Sequence, residues 1–274
     1  MVRRHVSAAR VAGGWLLLAA IAMTPACGSS PTSPRPPVVP PPVVEPPVEP
    51  PPPIRPPTLD LSTILAFGDS MTEGVDQPPL TLDTLGWTLP TTAGRTQGYP
   101  FKLQTLIDQR YTAQVVSVYN GGWAGRKAAD DRDRFNQAIS EARPQLVLLM
   151  EGANDLNEPL AEGEGVNARV TKVVNALEDL VRDATGRGLP VMIATLPPQR
   201  AGGSRAGGVD LLPRFNDELK VMAGKKNAQL VDINAQVPLS LIGKDGLHPT
   251  EAGYQKIAEI RFDAIKARYQ RAAQ

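Results

Sequence analysis

The sequence predicts an α/β fold built on a five-stranded, mostly parallel sheet with helices on both faces. Three observations carry that prediction. Short apolar runs alternate with longer segments of helical period from residue 63 to residue 270. The runs are apolar at successive positions instead of every second one, as in strands covered on two sides. Regular strand–helix alternation is the pattern of right-handed crossovers closing a parallel sheet.

The elements follow in chain order. Strands are expected at Thr63–Phe67, Gln114–Tyr119, Gln145–Met150, Val191–Thr195 and Gln229–Ile233. Helices are expected near residues 99–110, 128–142, 166–186, 209–224 and 250–270. In the third, Val166, Val170, Val173, Val174, Leu177 and Val181 recur at the spacing of one helix face. In the last, Tyr254, Ile257, Ala258, Phe262 and Ile265 do the same. Pro249-Thr250-Glu251 reads as its start, with proline in the first turn.

The chain before this region is of another kind. Residues 1–26 read as an export signal: Arg3, Arg4 and Arg10 precede the apolar stretch Val11–Met23. That stretch is shorter than the roughly 20 residues a spanning helix needs. Ala26 then precedes Cys27, the one cysteine, in Cys-Gly-Ser-Ser. This start resembles a bacterial lipoprotein signal, which implies lipidation of Cys27; ordinary signal-peptidase cleavage beside it is the alternative. Both readings place the domain outside the cytoplasm, in the cell envelope, where one cysteine permits no internal disulfide. Residues 27–57 read as a linker: fifteen prolines fall within 31–57. Proline fixes φ and lacks a donor, so this stretch is expected to extend as polyproline II, about 80 Å at full stretch. The remaining 58–274 suffices for one domain with a sizeable core. Loss of the leader removes three of 29 basic residues and none of the 28 acidic ones. No basic field is left to attract nucleic acid.

Open parallel sheets bind ligands beyond the carboxyl ends of their strands. Gly68-Asp69-Ser70 follows the first strand, Gly121 to Gly125 the second, and Gly152-Ala153-Asn154-Asp155 the third, so all three meet at one edge. The loop before the last helix carries Asp245-Gly246-Leu247-His248-Pro249. His248 is the only histidine outside the leader, since His5 lies within it. A serine hydroxyl needs a base to become a nucleophile. A neutral imidazole serves near neutral pH when a carboxylate fixes its tautomer, and Asp245 stands three residues from His248. The developing oxyanion needs donors, for which the Ser70 N–H, the Gly125 N–H and the Asn154 amide are the candidates.

These blocks, in this order, resemble the SGNH (GDSL-type) hydrolases: Gly-Asp-Ser, Asn120-x-Gly-x-x-Gly125, Gly152-x-Asn-Asp155 and Asp245-x-x-His-Pro249. The resemblance covers residues 63–265. It implies a three-layer, flavodoxin-like α/β/α fold and metal-free, cofactor-free esterase chemistry. It also implies Ser70 as nucleophile, His248 as base, Asp245 as its orienting carboxylate, and Ser70, Gly125 and Asn154 as the oxyanion hole. The substrates implied are small-molecule, lipid or carbohydrate esters: short-chain acyl esters, O-acetylated carbohydrate or lysophospholipid. An O-acyltransferase with the same residues and a non-catalytic glycan-binding module are the competing readings.

Two features depart from common members. Arg126 follows the oxyanion glycine, and Val75–Gln97 is a long insertion containing Trp87. Trp87 and Trp123 are candidate substrate contacts, while Tyr99 reads as a packing residue. Asp69 and Asp155 read as loop-holding residues. The run Gly202–Gly208 reads as a solvated, flexible loop, with a lid as the alternative.

Overall fold

The computed structural model of the chain describes residues 55–75 and 98–271. The leader, the Pro-rich linker with Cys27, and the insertion with Trp87 lie outside the described residues, so those readings rest on sequence. The five apolar runs pair as one parallel sheet in the order β3-β2-β4-β5-β6. Its strands are β2 (Thr63–Gly68), β3 (Ser117–Gly122), β4 (Leu146–Met150), β5 (Val191–Ala194) and β6 (Gln229–Val231). A separate antiparallel pair joins β1 (Thr58–Leu59) to β7 (Gln270–Arg271) near the two ends of the domain.

The helices are α1 (Ser70–Glu73), α2 (Tyr99–Arg110), α3 (Arg132–Ala142), α4 (Ala153–Asn157), α5 (Val166–Thr185), α6 (Leu212–Lys225), α7 (Ile233–Gln236) and α8 (Glu251–Tyr269). Helix α2 packs on α8, while α5 packs on both α3 and α6, giving the two helical layers. Every residue of β4 is fully buried, which its unbroken Leu-Val-Leu-Leu-Met run required. On α5, Val170, Val173, Val174, Leu177 and Val181 are buried, but Val166 is exposed at the helix start.

Several boundaries differ from the sequence reading. The second strand begins at Ser117, not Gln114, and runs on through Gly122. The Gln114 amide instead bonds the backbone of Leu59 and Leu61, bracing β1. Residues 128–130 form one 3-10 turn before α3. Helix α6 starts at Leu212, with proline in its first turn, so 209–211 remain turn. The last strand stops at Val231 because the Asp232 side chain caps α7. Pro249 lies outside α8: Thr250 is its N-cap and accepts from the Gly253 N–H. On α8 the buried position is Arg261 and not Phe262, which is only partly buried. Arg261 donates to the carbonyls of Met192 and Leu149 at 2.9 and 3.1 Å, with its guanidinium over the Tyr99 ring. Tyr99 is fully buried, as a packing residue should be.

Candidate active site

Strand β2 ends at Gly68, where a Cβ would lie 2.0 Å from the Met150 carbonyl oxygen. Only glycine lets the chain turn there. Asp69 caps the short helix α1 by accepting from the Met71 N–H at 3.0 Å. Ser70 becomes the first residue of that helix, so its N–H has no helical carbonyl to bond. Its Oγ lies 2.8 Å from His248 Nε2.

His248 is held from the other side. Its Nδ1 is 2.5 Å from Asp245 Oδ2. Asp245 Oδ1 accepts the N–H groups of Leu247 and His248 at 3.0 and 3.1 Å, which locks the turn. Both residues are buried, His248 completely. A Ser–His–Asp chain of hydrogen bonds thus runs from β2 to the turn before α8. Its order lets imidazole take a proton at Nε2 while the carboxylate faces Nδ1.

Gly125 lies in the loop after β3. Its φ of +80° favours glycine, and no atom lies within 4 Å of where a Cβ would stand. The neighbouring amides are all engaged. Trp123 N–H donates to Gly68 O, Ala124 N–H to the Glu73 carboxylate, and Arg126 N–H to Trp123 O. Among the described residues the Gly125 N–H has no acceptor. A donor left open between satisfied neighbours is what an oxyanion hole requires. Asn154, at the start of α4, spends one amide hydrogen on the Arg126 carbonyl at 2.8 Å. Its Nδ2 carries two hydrogens, so one remains. The structure therefore joins Ser70, Asp245 and His248 directly, and ties Gly125 and Asn154 together through Arg126. Trp123 is 39% exposed on this loop.

Asp155 accepts from Ala128 and Ala129 N–H at 2.9 and 3.2 Å, bracing the loop after β3 against α4. Burial raises its carboxyl above the usual range, against those two donors. Burial also pushes Asp69 up to about 7, with the Met71 N–H opposing it. Both aspartates therefore hold loops. The Gly202–Gly208 run is not a free loop. Arg205 N–H donates to Asp245 O and Arg200 N–H to Gly246 O, both at 2.8 Å. Gly208 N–H bonds Asn157 Oδ1 at 2.6 Å. Small residues read as flexibility in the sequence; here they permit close approach. Sequence reasoning also missed Glu73, which reaches Ala124. A four-residue helix has no periodicity to reveal it. Among the described residues no group of three or more His, Cys, Asp or Glu is arranged to hold a metal.

Comparison with known proteins places the chain in a family and matches its fold. Residues 66–256 match the model of the GDSL-like lipase/acylhydrolase family. The chain is 23% identical over 160 residues to a multidomain esterase from Ruminococcus flavefaciens, and spans about a fifth (20%) of that relative's length and 57% of its own. An acetylxylan esterase from Geobacillus stearothermophilus has a similar fold, with a TM-score of 0.61 at 19% identity over 76% of this chain and 95% of that one. A lipase/acylhydrolase from Enterococcus faecalis gives a TM-score of 0.59 at 19% identity, over 78% and 99% of the two chains. With the matched family model spanning most of the domain, this chain belongs to the GDSL-like lipase/acylhydrolase family.

Proposed function

We propose that the protein is an exported serine esterase that removes small acyl groups from O-acylated carbohydrate, through an acyl-enzyme on Ser70. The observation that carries this reading is the hydrogen-bonded chain Ser70–His248–Asp245, at 2.8 and 2.5 Å, facing a loop whose Gly125 N–H is unoccupied among the described residues. Ser70 Oγ attacks the ester carbonyl carbon and its proton passes to His248 Nε2. Asp245 holds the imidazolium. The oxyanion takes the N–H groups of Gly125 and Ser70 and the free Asn154 hydrogen. Collapse expels the alcohol, which takes its proton from His248. Water then attacks the acyl-enzyme with His248 again as base, releasing the acid and restoring Ser70.

The choice of substrate rests on two supports. Trp123, part-exposed beside Gly125, offers a flat face of the kind sugars stack on. A protein of similar fold is named an acetylxylan esterase. Export and anchoring at Cys27 rest on the leader's sequence and would hold the enzyme at the cell envelope.

The test is hydrolysis of p-nitrophenyl esters from acetate to palmitate, and of acetylated xylan, by wild type and Ser70→Ala. Serine-dependent release of acetate, peaking at the shortest chain, is expected, with a loss in the variant approaching ~10⁶ in kcat. Equal rates in the two proteins sink the serine mechanism. A peak at long chains replaces carbohydrate by lipid as the substrate.

A further inference from the structure

Arg126 is the residue that departs from common members of the family, and its side chain is not turned toward the ester site. Its Nε donates to Asp131 Oδ1 at 2.6 Å and its Nη2 to the Asp130 carbonyl at 3.2 Å. The Asp131 side chain is fully buried and accepts a second guanidinium: Arg134 Nε reaches Oδ2 at 2.8 Å, and Arg134 Nη2 bonds the same oxygen. Arg134 comes from the first turn of α3 and reaches back beneath the sheet edge. Its Nη1 donates to Gly121 O at 2.7 Å and its Nη2 to Gly68 O at 3.0 Å. Its guanidinium lies over the Phe67 ring at 3.9 Å. The Glu151 carboxyl at the end of β4 is 3.7 Å away.

The carbonyls that Arg134 grips are at the carboxyl ends of β2 and β3. Ser70 follows the first, and the Gly125 loop follows the second. Gly68 O is also the acceptor of the Trp123 N–H, at the start of that loop. At the far end of the chain of contacts, the Arg126 carbonyl holds the Asn154 amide.

We propose that Arg126 and Arg134, joined by the buried Asp131 carboxylate, form an ionic relay that positions the Gly125 N–H and the Asn154 amide relative to Ser70. The inference rests on the esterase reading above. Loops are the softest parts of such a fold, while oxyanion donors must be held within about 0.5 Å. A surface ion pair would not suffice. A buried carboxylate shared by two guanidinium groups is charge-assisted, directional and little screened. Charges inside the relay are unequal. Burial alone would lift Asp131, but Arg134, then Glu151 and Arg126, hold its carboxyl below the usual range. Burial pushes Glu151 well above its ordinary value, and the Asp131 charge adds to this. Asp131 is therefore the anion that both arginines share. These are positioning residues: they act on the donors, not on substrate.

The experiment compares wild type, Arg126→Ala, Arg126→Lys, Asn154→Ala, the combination of Arg126→Ala with Asn154→Ala, and Ser70→Ala, all in the full-length protein. The readouts are kcat and KM on p-nitrophenyl acetate, melting temperature, and hydrogen exchange of the 121–128 amides. The Arg126 side chain is 38% exposed, so its removal should leave the fold intact. Arg126→Ala is expected to lower kcat roughly 10- to 100-fold with KM within about twofold. Exchange across 121–128 should rise, and Arg126→Lys, which keeps a cation for Asp131, should recover part of both. Combined with Asn154→Ala, the loss in kcat should be less than multiplicative. Unchanged kcat and exchange in Arg126→Ala overturn the relay. So does a rise in KM alone, which would make Arg126 a substrate contact. Wild-type activity no greater than that of Ser70→Ala sinks the esterase reading instead, and the exchange data still decide the relay.

Discussion

Gly203 sits against the carbonyl of Asp245: a Cβ there would lie 2.4 Å from Asp245 O and 2.5 Å from Gly246 Cα. The glycine-rich loop after β5 is thus seated on the turn that carries Asp245 and His248. Gly203→Ala must push one of the two away. The expected cost is roughly 1–3 kcal/mol of stability, as for other overpacked sites, together with a fall in kcat as the Asp245–His248 contact shifts. Urea unfolding and esterase kinetics on the same variant check it. A variant that is destabilised but fully active would separate the loop from the triad.

Gly125 makes the opposite case. Nothing obstructs a Cβ there, but its φ is +80°. Gly125→Ala should cost only about 1–2 kcal/mol of backbone strain and still keep its N–H. If that N–H is an oxyanion donor, a small displacement should lower kcat by roughly tenfold or more with little change in KM. Retention of full kcat would remove Gly125 from the oxyanion hole.

Asp69 contributes a pH dependence to stability. Burial raises its carboxyl to about 7 in the folded chain, against about 4 in the unfolded one. The protonated form is the one that folding favours. Its stabilising contribution is therefore full below about pH 4 and is lost as pH rises toward 7. Asp69→Asn keeps an acceptor for the Met71 N–H but cannot ionise. Relative to wild type, the variant should gain stability between pH 4 and 7, by roughly 2–4 kcal/mol. A wild-type-minus-variant difference that is flat with pH contradicts this.

Cys27 tests the proposed location. If its thiol carries lipid, the protein should partition with membranes, and Cys27→Ser should move it to the soluble envelope fraction with esterase activity unchanged. Unaltered partition would mean that the leader does not lead to an anchor at this residue.

The parts of the fold legible in the sequence were those written as periodicity. The Leu146–Met150 run and the valine face of α5 named their own burial. The four motif blocks named Ser70, Gly125, Asn154, Asp245 and His248, because each sits directly beyond a strand end or in one tight turn. What stayed hidden depends on partners distant in sequence. Gln114 reads as a strand residue until Leu59 and Leu61 are beside it. Arg261 occupies a core position that periodicity gives to Phe262, because two strand carbonyls and the Tyr99 ring receive its charge. Arg134 and Asp131 look like any polar pair at a helix start. Only the tertiary fold shows that they reach Gly68, Gly121 and Arg126. The glycines of 202–208 carry the same ambiguity: small residues serve freedom or contact, and the turn they touch is 40 residues on.

The short ladder of Thr58–Leu59 with Gln270–Arg271 has a mechanical consequence. With the Asp60 N–H on Tyr269 O and Arg271 paired to Asp60, it knots the entering and leaving chain together before β2 begins. A six-residue parallel strand, about 20 Å long, separates that knot from the edge where Ser70 lies. Tension arriving through the chain upstream of Thr58 is taken first by this clasp and by the Gln114 brace. It would have to unzip both before loading β2, so such tension does not reach the geometry around Ser70 directly.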